Sequence, residues 1–420
     1  MGDEGKGKRP LRVREPNRSQ GEIHFEIPED AVPATHPARV IWNVVGTLDL
    51  AAFLVGVKSV VGVAGRPVLS PRMLLTLWLY AISQGIGSAR EIARLVETDR
   101  AFRWIVGDLE VGHHTLSGFR VGHGAALDEL LCDILASLMH KGVLSLDLVA
   151  QDGMRVRAAA TAPSFRSYGS LLQCRAQAAL QLKAVLAQAD DPELSAAQHA
   201  CRAAAARDFQ QRVTDAVATV HALQATRKPA GKTPRASTTD AEARVMKMAD
   251  GGFRPAYNVQ MATAGSELGG PRTIVGVRVT NVGSDMAAIS PMLDDVERRT
   301  GALPTVLLAD ANHGAHAGIR DAAARGVELL VAVPEYSQNP TSAHAATDEA
   351  IIAWRARMET EEAKKLYRAR ASLCELMNAH LRTHHGVNQF LVRGLAKVTC
   401  VVLLGVLTSN LLQHASTLLA

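Results

Sequence analysis

The chain has 420 residues, a hydrophobic content of 47% and a formal net charge of +5. These values exclude a disordered polypeptide and allow two or three domains with a sizeable core. The modest basic excess suits a nucleic-acid partner without requiring one.

In chain order, the first segment, MGDEGKGKRPLRVREPNRSQ, is charged throughout and lacks the apolar stretch of a signal peptide. Residues 1–37 read as a flexible basic arm. Residues 38–142 read as helices. SPRMLLTLWLYAIS offers Ser70 as N-cap and Pro71 at the first helical position. AREIARLVETDRAFRWIVG reads as an amphipathic helix pair, and DELLCDILASLMHKG as a helix ending at Gly142. The helices of 70–106 allow two readings, a helix-turn-helix that enters DNA or a purely structural pair. From Leu144 the period changes to two, which marks a strand. LLQCRAQAALQLKAVLAQ and HACRAAAARDFQQRVTDAVATVHALQA then form an expected helical hairpin, followed by the basic linker ATRKPAGKTPRAST. AYNVQMATAG and TIVGVRVTNVG are expected antiparallel neighbours. SPMLDDVERRTG is a helix, TVLLAD a short apolar strand, IRDAAARGV a helix and ELLVAVP a strand. A polar loop leads to a long helix from about Glu361 to His384. The greasy run VTCVVLLGVL is too short to span a bilayer and reads as a buried helix. The five cysteines, Cys132, Cys174, Cys201, Cys374 and Cys400, form no CxxC pair and imply buried thiols in a reducing compartment. These features imply a cytoplasmic protein without a membrane partner.

Three carboxylates interrupt this pattern. In LSLDLVAQDGMRVRA, the residues Leu144, Leu146, Leu148 and Ala150 occupy one strand face, and Asp152 follows on it. Val306, Leu308 and Asp310 repeat the arrangement. Each acid alone is most simply a turn residue or a helix cap. Glu375, however, is the only acid from Lys364 to the C-terminus, and it stands among Lys364, Lys365, Arg368, Arg370, Arg382, Arg393 and Lys397. Arg368 and Arg382 lie seven residues either side of it, on about the same face of a regular helix. A solvated salt-bridge ladder would mix signs more evenly. Carboxylates on two strand ends and a helix suit a hard divalent cation, and flanking arginines suit phosphates.

At these residues the chain resembles a DDE-type bacterial insertion-sequence transposase, of the branch with an N-terminal helical domain ahead of an RNase H-like core. The likeness runs over roughly residues 38–412. It is carried by VAQDGMRVRA and SFRS, by TDAEARVMKMADGGFRPAYNVQMAT, by TNVGSDMAAISPMLDDV and LPTVLLADANHG, and by the stretch from AWRARMETEEAKKLYRARASLCELMNAHL to LVRGLAKV. The resemblance implies an α/β (α+β) fold with a mixed RNase H-like sheet. The helical domain would occupy 38–142, the core 143–167 and 241–412, a helical insertion and linker 168–240, and a tail 413–420. It implies Asp152, Asp310 and Glu375 as catalytic and metal-binding triad, with two Mg²⁺ ions for which Mn²⁺ can substitute. Tyr367, Arg370 and Arg382 fall where the family places its Tyr–Arg–Glu–Lys/Arg signature, and Arg393 and Lys397 are expected DNA-backbone contacts. Arg155 and Arg157, just after the first Asp, join the expected DNA contacts. The tightest form of the signature has one residue fewer between Arg and Glu. In a regular helix Arg370 therefore points away from Glu375, and Arg368 could serve instead. After the second Asp the family has a small residue, a Gly and an aromatic, whereas this chain has Ala311, Asn312 and His313. Asn312 can adopt the conformation Gly would, and His313 could stack on or bond to a phosphate.

The implied partners are transposon ends and target DNA, and the implied assembly is a homodimer or larger on DNA. The implied location is the cytoplasm, at the nucleoid. The altered ANHG turn motivates a second reading, a catalytically inactive, repressor-like DNA-binding relative. A metal-dependent nuclease without strand transfer is a third. The pairs His113–His114 and His384–His385, and His123, lack zinc-site spacing.

Overall fold

A computed structural model describes residues 27–60, 62, 67–188, 194–226, 231, 233–266, 268–333 and 348–420. The greater part of the expected arm, residues 1–26, lies outside this set, as do most of the polar loop at 334–347 and parts of the basic linker. The last arm residues are structured. Pro28–Ala31 form a turn of 3₁₀ helix, Val32 is buried, and Arg39 holds Glu29.

Helix α1 (Pro37–Gly46) begins at a proline, whose missing N–H costs nothing in a first turn. Helix α2 (Pro71–Ser83) starts the same way, but Ser70 makes no side-chain cap bond, so proline rather than the serine hydroxyl sets that end. Ten of the thirteen α2 residues are buried. A helix apolar on all sides is a core helix, and α2 has no free face to enter a DNA groove. Helices α3 (Ala89–Thr98) and α4 (Arg100–Val106) are capped by Ser88 and Asp99. The segment HHTLSGFRVG forms α5 (His113–Gly122), and α6 (Gly124–His140) ends just before Gly142 at φ +66°.

A mixed sheet follows. Strand β1 (Leu148–Arg157) pairs antiparallel with β5 (Phe253–Ala264) on one side and parallel with β7 (Val306–Ala309) on the other. Strand β8 (Glu328–Val331) extends the sheet in parallel beyond β7. On the far edge of β5 lie β4 (Arg244–Lys247) and β6 (Thr273–Thr280), both antiparallel to it, as the alternation around AYNVQMATAG and TIVGVRVTNVG predicts. Between β1 and β4, the strands β2 (Phe165–Arg166) and β3 (Ala236–Ser237) pair and close the base of an insertion. That insertion is the expected hairpin of α7 (Tyr168–Ala187) and α8 (Ala196–Ala225), seamed by Leu171, Ala216, Val217 and Val220. Helices α9 (Ile289–Thr300) and α10 (His316–Ala324) connect the later strands.

After α11 (Glu349–Glu359), the expected long helix divides into three. Helix α12 (Glu361–Arg370) and α13 (Leu376–Thr383) are joined by a π-helical turn, Ala371–Glu375. This segment covers one sheet face, where Leu148, Ala150, Leu308 and Leu330 pack against Ala363, Leu373 and Cys374.

The C-terminal run belongs to a helix far longer than the run itself, α14 (Leu395–Leu419). By length and composition it could cross a membrane, but 67% of its most apolar window is buried inside the protein. It packs against α1, α2, α5 and α6 and also against β6. Asn410 closes the β6 contact by bonding both Ile274 N (3.0 Å) and Ile274 O (2.9 Å), and His414 Nε2 meets the Thr273 hydroxyl at 2.8 Å. One hydrophobic cluster therefore runs continuously from the N-terminal helices through α14 to the sheet.

Candidate active site

The parallel register of β1 and β7 carries Leu148 beside Val306 and Gln151 beside Ala309. One step further along each strand stand Asp152 and Asp310. The leucine rows that aim the two acids are buried under α12 and the π turn. Rigid strands thus deliver two carboxylates to neighbouring strand ends.

Asp152 lies on the floor of an open groove of about 1070 Å³, together with Glu375 and Asn378. Its Oδ1 accepts from Gly153 N at 2.8 Å and its Oδ2 from Asn378 Nδ2 at 2.8 Å. Burial pushes its pKa up; the Gly153 bond opposes this, and the charge of Asp310 adds to it. Asp310 caps a 3₁₀ turn, Ala311–His313. It accepts from Asn312 N at 3.0 Å and Asn312 Nδ2 at 3.0 Å, and its Oδ1 lies 2.5 Å from His313 Nδ1. Burial again raises its pKa, but His313, Asn312 and Arg370 outweigh that and hold it below the usual carboxylate range.

The expectation that Arg370 points away from Glu375 fails. Arg370 Nη2 donates to Glu375 Oε1 at 2.7 Å. A π-helical turn bonds residue i to i+5 where an α-helix bonds i to i+4, so the extra residue in the signature is absorbed by the bulge, and the pair meets as it would with tighter spacing in an α-helix. Arg370 also feels Asp152, and Asp310 feels Arg370, so one guanidinium serves all three acids. Burial lowers the Arg370 pKa; Cys374, Tyr367, Glu375 and Asp152 reverse this and raise it. Burial, then Asp152 and Glu375, push the Cys374 thiol up to about 12. Cys374 and Cys400 are buried as expected, but Cys132 and Cys174 are only half-buried and Cys201 is exposed, against the expectation of buried thiols. Arg368 is exposed and does not replace Arg370. The π turn also removes it from the face shared by Glu375 and Arg382. Tyr367 lies under Arg370, ring to guanidinium, at 5.8 Å.

Arg155, Arg157 and Arg382 line the Asp152 groove, joined by Lys247 and Arg254 from the β4–β5 hairpin. Arg382 Nη2 bonds Arg155 O at 3.3 Å. Arg393 and Lys397 do not come to this groove. They border a separate cleft with Ser117, Arg120 and Arg212, between α5 and α8. His313 is fully buried, so it neither stacks on nor bonds to a phosphate.

Sequence reading missed Asn378 and a buried polar group beneath Asp310. Gln260, Asn258 and Asp285 are each at most 3% exposed. Asn258 and Gln260 are alternate residues of AYNVQMAT. Two amides on one face of an otherwise apolar strand were the available signal.

Among the described residues no group of three or more His, Cys, Asp or Glu side chains is already gathered as a metal site. Glu375 is turned to Arg370 and is half exposed. The donor chemistry nevertheless fits a hard cation. Asp152 and Asp310 offer carboxylate oxygens, and Asn378 Oδ1, buried in the same place, has no hydrogen-bond partner.

No curated protein and no solved structure matches the chain. Two family models do. The Transposase domain (DUF772) model matches residues 26–121 and the Transposase DDE domain model matches residues 337–415. The second match contains Glu375, and a DDE domain implies an RNase H-like fold, consistent with the mixed sheet that carries Asp152 and Asp310. With one match near each end of the chain, the findings support a DDE-type insertion-sequence transposase.

Proposed function

We propose that this transposase cuts the ends of its element and joins them to target DNA, with Asp152, Asp310 and Glu375 as the metal-holding acids. The observation that carries the reading is the placement of two aspartates at adjacent parallel strand ends, the first of them lining a groove with five basic side chains that Glu375 shares. Divalent ions, Mg²⁺ or Mn²⁺, would supply Lewis-acid stabilisation of charge on the phosphate and help ionise the attacking oxygen. Asp152 and Asp310 would hold them, with Asn378 Oδ1 and Glu375 as further oxygen donors.

The remaining chemistry rests on the chain's own residues. Arg155, Arg157, Arg382 and Lys247 would clamp backbone phosphates along the groove and fix the scissile phosphorus over Asp152. A water oxygen would attack that phosphorus in line, the bond to the 3′-oxygen would break, and a proton would pass to the departing oxygen. The freed 3′-hydroxyl would then attack a target phosphodiester in the same geometry, displacing the target's own 3′-oxygen. Arg370 would hold Glu375 and balance the acids. The helical region 38–142 and the insertion 168–240 would bind end sequences and pair two protomers, since two ends must be joined. Arg393 and Lys397, in their separate cleft, would contact flanking backbone.

The test incubates purified protein and labelled DNA from the borders of the coding region with Mg²⁺. Nicking at the border that is lost in Asp152→Asn and Asp310→Asn, with end binding kept within a few-fold, is the expected result. Equal nicking by parent and variants would remove both acids from the site. Binding without any nicking by the parent would mean an inactive DNA-binding relative.

A further inference from the structure

His313 is one of two residues, with Asn312, at which this chain departs from the pattern it resembles, and the structure gives it specific partners on both sides. Its Nδ1 faces Asp310 Oδ1 at 2.5 Å, and its Nε2 faces Gln260 Oε1 at 3.1 Å. The ring is fully buried.

The orientation of Gln260 is not free. Its Nε2 donates to Asp285 Oδ1 at 2.6 Å, and a flipped amide would set an oxygen against that carboxylate. Its Oε1 therefore faces His313 and also accepts from Gln151 Nε2 at 3.3 Å. Asp285 is itself pinned, by Asn258 Nδ2 at 2.7 Å and Arg155 Nη2 at 2.6 Å. Gly153 leaves the space this requires, because a Cβ there would lie 2.1 Å from Gln260 Nε2. An acceptor thus faces each ring nitrogen, Gln260 Oε1 at Nε2 and Asp310 Oδ1 at Nδ1.

We propose that His313, braced by Gln260 and Asp285, is a positioning residue that fixes the Asp310 carboxylate for metal binding. The proposal rests on Asp310 being a metal-holding acid. Side chains that orient a metal-binding group typically change metal affinity 10- to 100-fold when removed. The chain starts at Arg155 in the groove and ends at Asp310, so it also ties the second acid's orientation to β1, which carries the first.

The experiment measures Mn²⁺ binding to the purified full-length protein by electron paramagnetic resonance, without DNA, in the parent and four variants. Thermal melts of the metal-free proteins establish that each is folded. His313→Phe keeps the ring volume and removes both bonds, and it should weaken Mn²⁺ binding about tenfold. His313→Gln, which can still present an N–H to Asp310, should recover part of that loss, a rescue that a space-filling role would not produce. Gln260→Met cuts the brace one link back and should weaken binding several-fold. It decides the question alone if the buried site rejects Phe. Mn²⁺ binding within twofold of the parent in every folded His313 and Gln260 variant, while Asp310→Asn loses it, would overturn the positioning role and leave the acid assignment standing. If Asp310→Asn binds Mn²⁺ like the parent, the acid assignment falls, and the positioning role falls with it.

Discussion

Asp152 and Asp310 reach the site by the same device, a short apolar strand ending in an acid, yet their surroundings are opposite. Asp152 sits in the groove floor with one backbone N–H and the Asn378 amide, and burial leaves its pKa raised. Asp310 is gripped by Asn312 and His313, and its pKa is lowered despite burial. Neighbouring carboxylates pushed apart in this way take up their protons at different pH in the metal-free protein, Asp152 before Asp310 as the pH falls. The difference teaches that the first acid awaits a positive partner, whereas the second already has neighbours that stabilise its ionised form.

The largest effect that bears on this contrast is on catalysis. Asp152→Asn and Asp310→Asn should each lower border nicking by about 10³-fold or more, because each removes a metal-holding oxygen. A variant nicking within tenfold of the parent would break the symmetry between the two acids. Next in size is the brace. Asp285→Ala would leave Arg155, Asn258 and Gln260 without their shared acceptor, and breaking a buried pair of this kind costs about 3 kcal/mol. Urea denaturation would read it, and a loss below about 1 kcal/mol would show that the brace stabilises little.

The pH dependence of stability sharpens the comparison directly. A raised carboxyl pKa means that the folded protein holds the proton more tightly. Asp152 therefore destabilises the metal-free fold above its folded pKa and relaxes below it. Asp310 has the opposite sign: its contribution is present above the unfolded value and is lost as pH falls through its lower folded pKa. At neutral pH, in chelator, Asp152→Asn should therefore melt above the parent and Asp310→Asn below it. Both differences should shrink in acid below the unfolded carboxylate value. Melting shifts of the same sign at neutral pH would contradict the assignment. The smallest effect concerns the groove wall. Lys247→Ala should weaken end binding a few-fold and reduce its salt slope by about one, with nicking at saturating DNA unchanged. An unaltered slope would exclude Lys247 from the backbone path.

Much of this site was legible in the residues. The alternation Leu148, Ala150, Asp152 and Val306, Leu308, Asp310 needs only the period of a strand, and the parallel pairing bears it out. The isolation of Glu375 among cations is likewise a one-dimensional fact. The Arg370–Glu375 pair was not legible, since a regular helix puts those residues on different faces and only packing against β1 and β5 accommodates a π turn there. His313 read as a phosphate contact because its burial depends on β5, whose residues lie some fifty positions earlier.

By itself the sequence determined which strands end in acids, where the helical hairpin interrupts the sheet and that the C-terminal run is buried, because periodicity and apolar content are local quantities. Tertiary structure alone decided which arginine meets Glu375, which side chains grip Asp310, and that α14 joins the N-terminal helices to the sheet in one core. Those outcomes depend on hydrogen-bond geometry and close packing between segments far apart in the chain, and no window of neighbouring residues contains that information.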